Sequence, residues 1–487
     1  MYEENPVIST THGADKLRTP KGIAAVIVLL LLCALLMKVM GLMGGLLFVA
    51  LPIGIAVMAI IILKPIVGLN LSLVMGFLSA GLARYVAAPW GLTLDIFMFL
   101  AWLGFLFKRN KPKGFWDPLN DDIVKAWLIW FFYIMFELVN PEAHSPVAWF
   151  YAMRGIGFYQ LLGITLVLMV ARTPKYLETI INYIIWFSIA GTLWGLRQLI
   201  FGVDDAEYYW LWVEDHQDEH ILHGKLRVFS YYSDAGQFGS SQAMVAMMCG
   251  ILAIGPEKGK RKILYIVAAL LTFIGFGISG TRGALAVPAV GVIVYLITSR
   301  NFKLLAMGVI AIGVVFYILK FTFMFQGVEQ VARMRTALNP DDPSLQTRLS
   351  NQRKFGAYLR SRPFGGGIGT AGFWGERFSP HTFLAQTATD SWYVKIWAEN
   401  GIVGLCIHVG VLAFTLGKAG VIVWRLRNPI LRQKMLAFYA SIAGIIFSSY
   451  GNQVFGQMPT GMIMAVMIPL MFLAPQWDDP PPEDKKS

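Results

Sequence analysis

Residues 389–404 read TDSWYVKIWAENGIVG, and the chain runs on to residue 423 as LCIHVGVLAFTLGKAGVIV. The first half is polar and aromatic. The second carries Lys418 as its one Lys, Arg, Asp or Glu and matches the ~20 apolar residues that a helix needs to cross a bilayer. The junction therefore reads as a surface segment that feeds a membrane helix. Working outward, runs of similar length recur near 23–43, 46–63, 66–84, 89–107, 123–139, 155–171, 179–201, 238–254, 263–279, 283–298, 304–320, 401–423, 435–455 and 460–475. Backbone amides in lipid must be satisfied within their own segment, so these runs should be helices. The short alternating strands of a membrane barrel do not occur. The fold class is all-α, a polytopic membrane protein of about fourteen transmembrane helices.

Composition agrees. Apolar residues make up 56% and charged residues 14%, against about 25% charged in soluble domains. The net charge of +12 does not call for nucleic acid, because basic residues crowd the cytoplasmic loops of membrane proteins. Cys33, Cys249 and Cys406 all fall inside apolar runs and read as small core residues, not as a disulfide frame or metal set. The first apolar run is too long for a signal-peptide core and reads as an uncleaved helix.

Basic connections follow every second span: Lys108 to Lys113, Arg172 with Lys175, 258–262, Arg300 with Lys303, and Arg425 to Lys434. The positive-inside rule then puts both termini in the cytoplasm and two long loops, 202–237 and 321–391, on the outer face. The expected division is a cytoplasmic tail, 1–22; membrane helices 1–11 over 23–320; an outer loop domain, 321–391; an interfacial helix with helices 12–14 over 392–475; and a disordered cytoplasmic tail, 476–487.

Arginines gather on the outer side, where the same rule should leave few. Arg154, Arg197, Arg227 and Arg282 lie at or near outward span ends, and the large loop adds Arg333, Arg335, Arg348, Arg353, Arg360, Arg362 and Arg377. Long loops are exempt from the rule and Arg snorkels at helix ends. Neither account covers Arg282, which sits in the tight turn Gly280-Thr281-Arg282-Gly283. Arg binds phosphate bidentately and stays charged where water is scarce, so an anionic, membrane-tethered ligand is indicated. The spacing of His216, His220 and His223 would put three imidazoles on one helical face, as in a metal site, but a solvated acidic loop reads the same way. No metal is assigned.

In the large loop, 344–360 reads as an amphipathic helix with Leu345, Leu349, Gly356 and Leu359 as one stripe. Gly365-Gly366-Gly367 with Gly369 is either a phosphate cradle or, with better odds, a loop corner. Asp390 is either a helix N-cap, in a box with Thr387, or a base able to take a proton from a sugar hydroxyl. Glu399, nine residues on, is half a turn out of phase on a continuous helix, so the two carboxylates should not pair. Trp392, Tyr393 and Trp397 suit an interfacial aromatic belt or a sugar-stacking surface. A transporter would show repeats and ionisable residues near the midplane; no repeat is visible, and Asp95 and Lys38 are the few charges within spans.

The 390–404 run resembles the signature of the O-antigen ligase and O-antigen polymerase superfamily. Its ligases carry His, then Asn, Ser or Gln, nine residues, and Gly-x-x-Gly; here Ser391, residues 392–400, Gly401 and Gly404 fit, with Asp390 in the histidine's place. Residues 227–239 are similar to the family's first outward arginine motif, Ser279-Gly280-Thr281-Arg282-Gly283 to its serine–arginine–glycine turn, and Arg362-Pro363-Phe364-Gly365 through Gly369 to its proline–glycine corner. The resemblance implies a multi-pass protein of the bacterial inner membrane with both termini cytoplasmic and the 321–391 loop periplasmic. It implies a metal-independent glycosyltransferase without cofactor, an undecaprenyl-diphosphate-linked glycan as donor, and a saccharide or lipid acceptor, with a chain-length regulator as a further partner. Arg227 and Arg282 would hold the diphosphate and Asp390 would be the catalytic base, supported by Arg348, Arg362, His381 and Glu399. Asp390 in the histidine's place favours polymerisation of lipid-linked units. Ligation onto a lipid acceptor is the alternative, and flipping of lipid-linked glycans the alternative from another class.

Overall fold

The computed structural model describes residues 19–222, 224–300, 302–324, 327, 332, 335 and 341–478. The tail residues 1–18 and 479–487, His223 and Arg333 lie outside this description. Helices dominate, and the only strands among the described residues are Ile221–Leu222 and Lys225–Leu226, paired as an antiparallel hairpin. Among the described residues, eight helices are long and apolar enough to cross a membrane: Pro65–Tyr85, Pro146–Val170, Lys175–Phe201, Ala235–Ile254, Gly259–Ser279, Trp392–Arg425, Pro429–Ser448 and Thr460–Trp477. Shorter apolar helices, Leu31–Met40, Phe48–Leu63, Gly91–Leu106 and Arg282–Thr298, fall in four more of the expected windows. The chain is an all-α, multi-pass membrane protein.

Thr460–Trp477 is the most enclosed of these helices, and Pro146–Val170, Ala235–Ile254 and Pro429–Ser448 are mostly buried as well. Small residues set the spacing, as helix packing in lipid requires. A methyl group on Gly163 would lie 2.7 Å from Ala465 Cβ, and one on Gly444 2.5 Å from the Val287 carbonyl oxygen. Leu31, Leu35, Leu51 and Leu63, on the first two helices, are exposed and suit contact with lipid.

One end of the bundle carries the basic connections and is tied by ion pairs. Lys434 bridges Glu257 (2.7 Å) and Glu178, and Arg261 reaches the same Glu178. Among the cysteines only Cys249 is buried; Cys33 is half-buried and Cys406 exposed on its span, so the core reading holds for one of the three. The aromatic belt is also corrected. Trp392 is buried with its indole N–H donating to His408 Nε2 at 2.9 Å, and the Tyr393 hydroxyl donates to the Ile446 carbonyl at 2.7 Å.

Candidate functional site

At the other end of the bundle, the turn from Ser448 to Thr460 is a hub on which three distant segments meet. The Ser448 hydroxyl donates to the Gly283 carbonyl at 2.9 Å, seating the turn that carries Arg282. The Trp392 amide donates to the Ser449 carbonyl at 3.0 Å, and Gln453 Nε2 donates to Thr389 Oγ1 at 2.6 Å, clasping Asp390 from both sides. Gln457 Nε2 donates to Asp234 Oδ2 at 3.4 Å, and Gln237 Nε2 to Thr460 Oγ1 at 2.9 Å, which fastens the motif begun by Arg227. That motif also touches the Arg282 turn directly, since Thr281 Oγ1 donates to the Ala235 carbonyl at 2.7 Å. Three of the four family-like motifs are thus gathered by a segment whose first part, to residue 455, the apolar pattern places inside a span; the helix ends instead at Ser448.

Local chemistry explains each arm. Gly280 ends its helix in the left-handed region (φ 57°), so the chain reverses within the tight turn and Arg282 opens the next helix. The Arg282 guanidinium, about a quarter exposed, meets Asp342 through Nη1–Oδ2 at 2.5 Å. Asp342 is in turn the N-cap of Pro343–Leu359, its Oδ1 accepting from the Leu345 amide. Arg227 is half-buried, and its amide donates to the His220 carbonyl at 2.8 Å. Just beyond it, Arg84 donates to the carbonyls of Ser230 (2.7 Å), Tyr232 and Ser233 (3.3 Å) while its guanidinium lies over Trp210 and Phe229. Arg84, at the end of a span, was not among the arginines that the sequence singled out.

Asp390 is not the helix cap. Ser391 holds that position, its Oγ accepting from the Val394 amide, and the Thr387 box does not form. Asp390 instead adopts a left-handed backbone (φ 49°) and stands half-buried before the helix. Its carboxylate makes no hydrogen bond or ion pair with a described residue.

Glu399 is fully buried and takes the Ala371 amide at 3.3 Å. The glycine corner packs on the same spot, with the Gly366 and Gly367 amides donating to the Ala398 and Glu399 carbonyls at 2.9 Å each. Those amides are spent inside the protein, so the corner is a joint. The helix that continues from Trp392 breaks there, at Gly401 (φ 65°, ψ −171°). Arg362 pairs with Glu142 (3.1 Å) and lies over Tyr358, which ties the corner to the 140s turn. His381 is exposed in a turn between two short helices, and Arg348 is half-buried on Pro343–Leu359. On that helix the apolar face is Phe355 with Leu359, joined by Ala371, Leu384, Val394 and Ala398; Leu345, at the expected stripe's start, is exposed.

The histidine pattern is corrected too. The helix Gln217–His220 ends at His220 and passes into a strand at Ile221–Leu222, so it stops short of the third histidine, which lies outside the described residues. His216 stacks on Trp210 and its carbonyl oxygen meets His220 Nδ1 at 2.9 Å. No group of His, Cys, Asp and Glu suited to a metal occurs among the described residues. Two more of the outward arginines have acidic partners: Arg154 with Asp95 (2.7 Å), and Arg197 with Asp204 (2.7 Å) and Glu207 (2.6 Å).

Comparison with known proteins agrees with the motif reading. Residues 267–409 match the O-antigen ligase family. A protein of Salmonella muenchen described as an O-antigen polymerase is 27% identical over 193 residues, which make up 39% of this chain and 46% of that protein. The chain therefore matches less than half the length of this curated relative. Both matches support the resemblance to the O-antigen ligase and polymerase superfamily. The family match takes in Arg282, the glycine corner and Asp390, whereas Arg227 lies before it.

Proposed function

We propose that the chain joins saccharide units carried on a polyprenyl diphosphate, at the periplasmic face of the bacterial inner membrane, and that polymerisation is the joining reaction. The observation that supports this most is the meeting of the Arg282 turn, the Asp390 segment and the 227–239 motif on one turn at one end of the bundle. Asp390 takes the proton from the acceptor hydroxyl, whose oxygen bonds to the anomeric carbon of the donor sugar. The bond from that carbon to the diphosphate breaks, and the polyprenyl diphosphate leaves with the electron pair. Arg282 and Arg227 stabilise the charge that develops on it, which is worth ~3–4 kcal/mol per donor removed in comparable sites.

The backbone at Asp390 suits this role. With Ser391 capping the helix, the carboxylate is not committed to helix amides and stands at the edge of the hub. The test is the glycan profile of a deletion strain. Single repeat units still attached to the final acceptor, with polymer lost, fit a polymerase. Unattached lipid-linked polymer would move the assignment to a ligase, and an unchanged profile would end the glycan-joining reading.

A further inference from the structure

The hub also walls a cavity of about 280 Å³ that the joining reaction as described leaves unused. Its opposite wall is the helix Pro146–Val170, where a π-helical turn, Arg154–Phe158, interrupts the regular winding. Such turns recur at functional sites. Gly155 and Gly456 form the floor, and a methyl on Gly155 would lie 2.8 Å from the Gly456 carbonyl oxygen, so neither position has room for a side chain.

The lining has two characters. Tyr151 and Trp374 form an aromatic wall, their rings stacked at 4.7 Å and 15°, with Phe378 continuing the stack at 6.1 Å from Tyr151. Polar groups share the lining: the amides of Gln453 and Gln457, the Lys395 ammonium, and Arg154, which is held by Asp95 and lies over the Tyr151 ring at 4.9 Å. Lys395 makes no ion pair with a described residue. A polyprenyl chain would want an apolar lining throughout. A sugar ring has C–H faces for aromatic rings and hydroxyls for amide and cationic donors. The volume lies just below the range of about 300–1,000 Å³ for small-ligand sites, the scale of a single sugar unit.

Position narrows the choice of sugar. Gln453 lines the cavity and also holds Thr389, next to Asp390, and Trp392 lines it from two residues beyond Asp390. We infer that this cavity is the subsite for the acceptor's terminal sugar, its ring set against the Tyr151–Trp374 wall and its hydroxyls on Gln453, Gln457 and Lys395. The inference rests on the glycan-joining reading and deepens it. The site delivers the hydroxyl that Asp390 deprotonates.

The full chain in lipid nanodiscs is titrated with the repeat-unit oligosaccharide, released from lipid by mild acid, and binding is followed by ligand-observed NMR. Wild type and Arg282→Ala should both bind saturably, because Arg282 does not line the cavity. Trp374→Ala should weaken binding about tenfold, Trp374→Phe should restore most of it, and Lys395→Gln should weaken it in a chain with the aromatic wall intact. In a transfer assay on the same preparations, Trp374→Ala should raise the acceptor KM about tenfold while kcat stays within about threefold. Transfer by wild type with no oligosaccharide binding, or equal binding by wild type, Trp374→Ala and Lys395→Gln, would overturn the subsite and leave the joining reaction standing. Absence of both transfer and binding would overturn both.

Discussion

Arg282 and Asp342, sixty residues apart in sequence, close a 2.5 Å ion pair that ties the Arg282 turn to the first turn of Pro343–Leu359. A guanidinium that is to hold a diphosphate must share or exchange that partner, so the pair sets a threshold for donor binding. Arg282→Ala and Arg227→Ala should each cut transfer by ~100- to 1,000-fold without loss of protein from the membrane. Arg282→Lys should recover only part, since an ammonium lacks the planar fork. Asp342→Asn keeps a good N-cap and removes the competing charge, so it should lower the donor KM. Initial rates with purified protein and lipid-linked donor measure all four. Full activity in both Ala variants would leave Arg282 with a structural ion pair alone.

The Asp390 variants separate base from backbone. Asn tolerates the left-handed region nearly as well as Asp, and Ser391 keeps the helix capped in either case. Asp390→Asn should therefore fold and express normally while transfer falls by at least ~100-fold, the lower bound for loss of a general base. Asp390→His should recover part of the rate, because imidazole accepts protons near neutral pH. Near-normal turnover by Asp390→Asn would pass the role of base to another group. The exposed His381 would then be the next to test, ahead of the buried Glu399.

Much of the architecture was legible because lipid imposes one rule on every span, and apolar length alone reveals it. The arginine argument singled out the Arg282 turn, which hydrogen bonding joins to the hub. What sequence could not show was the hub. Residues 448–460 contain no residue type that announces chemistry, and their role lies in hydrogen bonds to Gly283, Thr389 and Asp234. The sequence left Asp390 open between cap and base because Asp and Ser are both good N-caps, and only backbone geometry decides between neighbours. Glu399 read as a supporting residue for want of burial information; the structure buries it beneath the glycine corner.

That corner carries a prediction of its own. Gly401 has φ 65°, and a methyl group there would run into the carbonyl oxygen of Pro363, whose place is fixed by the Val403 amide. Gly401→Ala should cost more than the ~1–3 kcal/mol of the backbone strain alone. A lowered melting temperature in detergent, with the 363–369 corner newly open to protease, is the expected result. Gly410, on the same helix with open space around it, should accept Ala without loss. Equal melting of the two variants would mean that the corner and the helix break are not locked together.

His220 gives the outer loop a pH dependence. Burial against Trp210 and Phe229 pushes its pKa down from 6.5 to about 4, with Arg84 and Arg227 adding to the fall while the His216 carbonyl and Asp234 oppose it. The unfolded loop therefore binds more protons between those values, and stability is full above about pH 6.5 and lost as pH falls toward about 4. Hydrogen exchange over 205–234 should quicken across that window. His220→Phe keeps the ring packing and should flatten the response; an unchanged profile in that variant would place the sensitivity elsewhere.

Sidedness decides whether any of this chemistry is periplasmic. The basic end of the bundle carries Lys258, Lys260, Arg261 and Lys262 around the helix start at Gly259, and the hub lies at the other ends of the same helices. The potential and the insertion machinery favour the basic end inside. In a chain with its three cysteines replaced by Ser, Ser350→Cys and Ser379→Cys should react with an impermeant thiol reagent on intact spheroplasts. Lys260→Cys, exposed at the basic end, should react only after the membrane is opened. The reverse pattern would put Arg227, Arg282 and Asp390 in the cytoplasm, away from a donor on the outer leaflet. Labelling of all three without opening would mean leaky spheroplasts, which a cytoplasmic marker enzyme in the medium would reveal. The predicted asymmetry follows from the charge distribution alone, so it tests the membrane frame independently of any catalytic assignment.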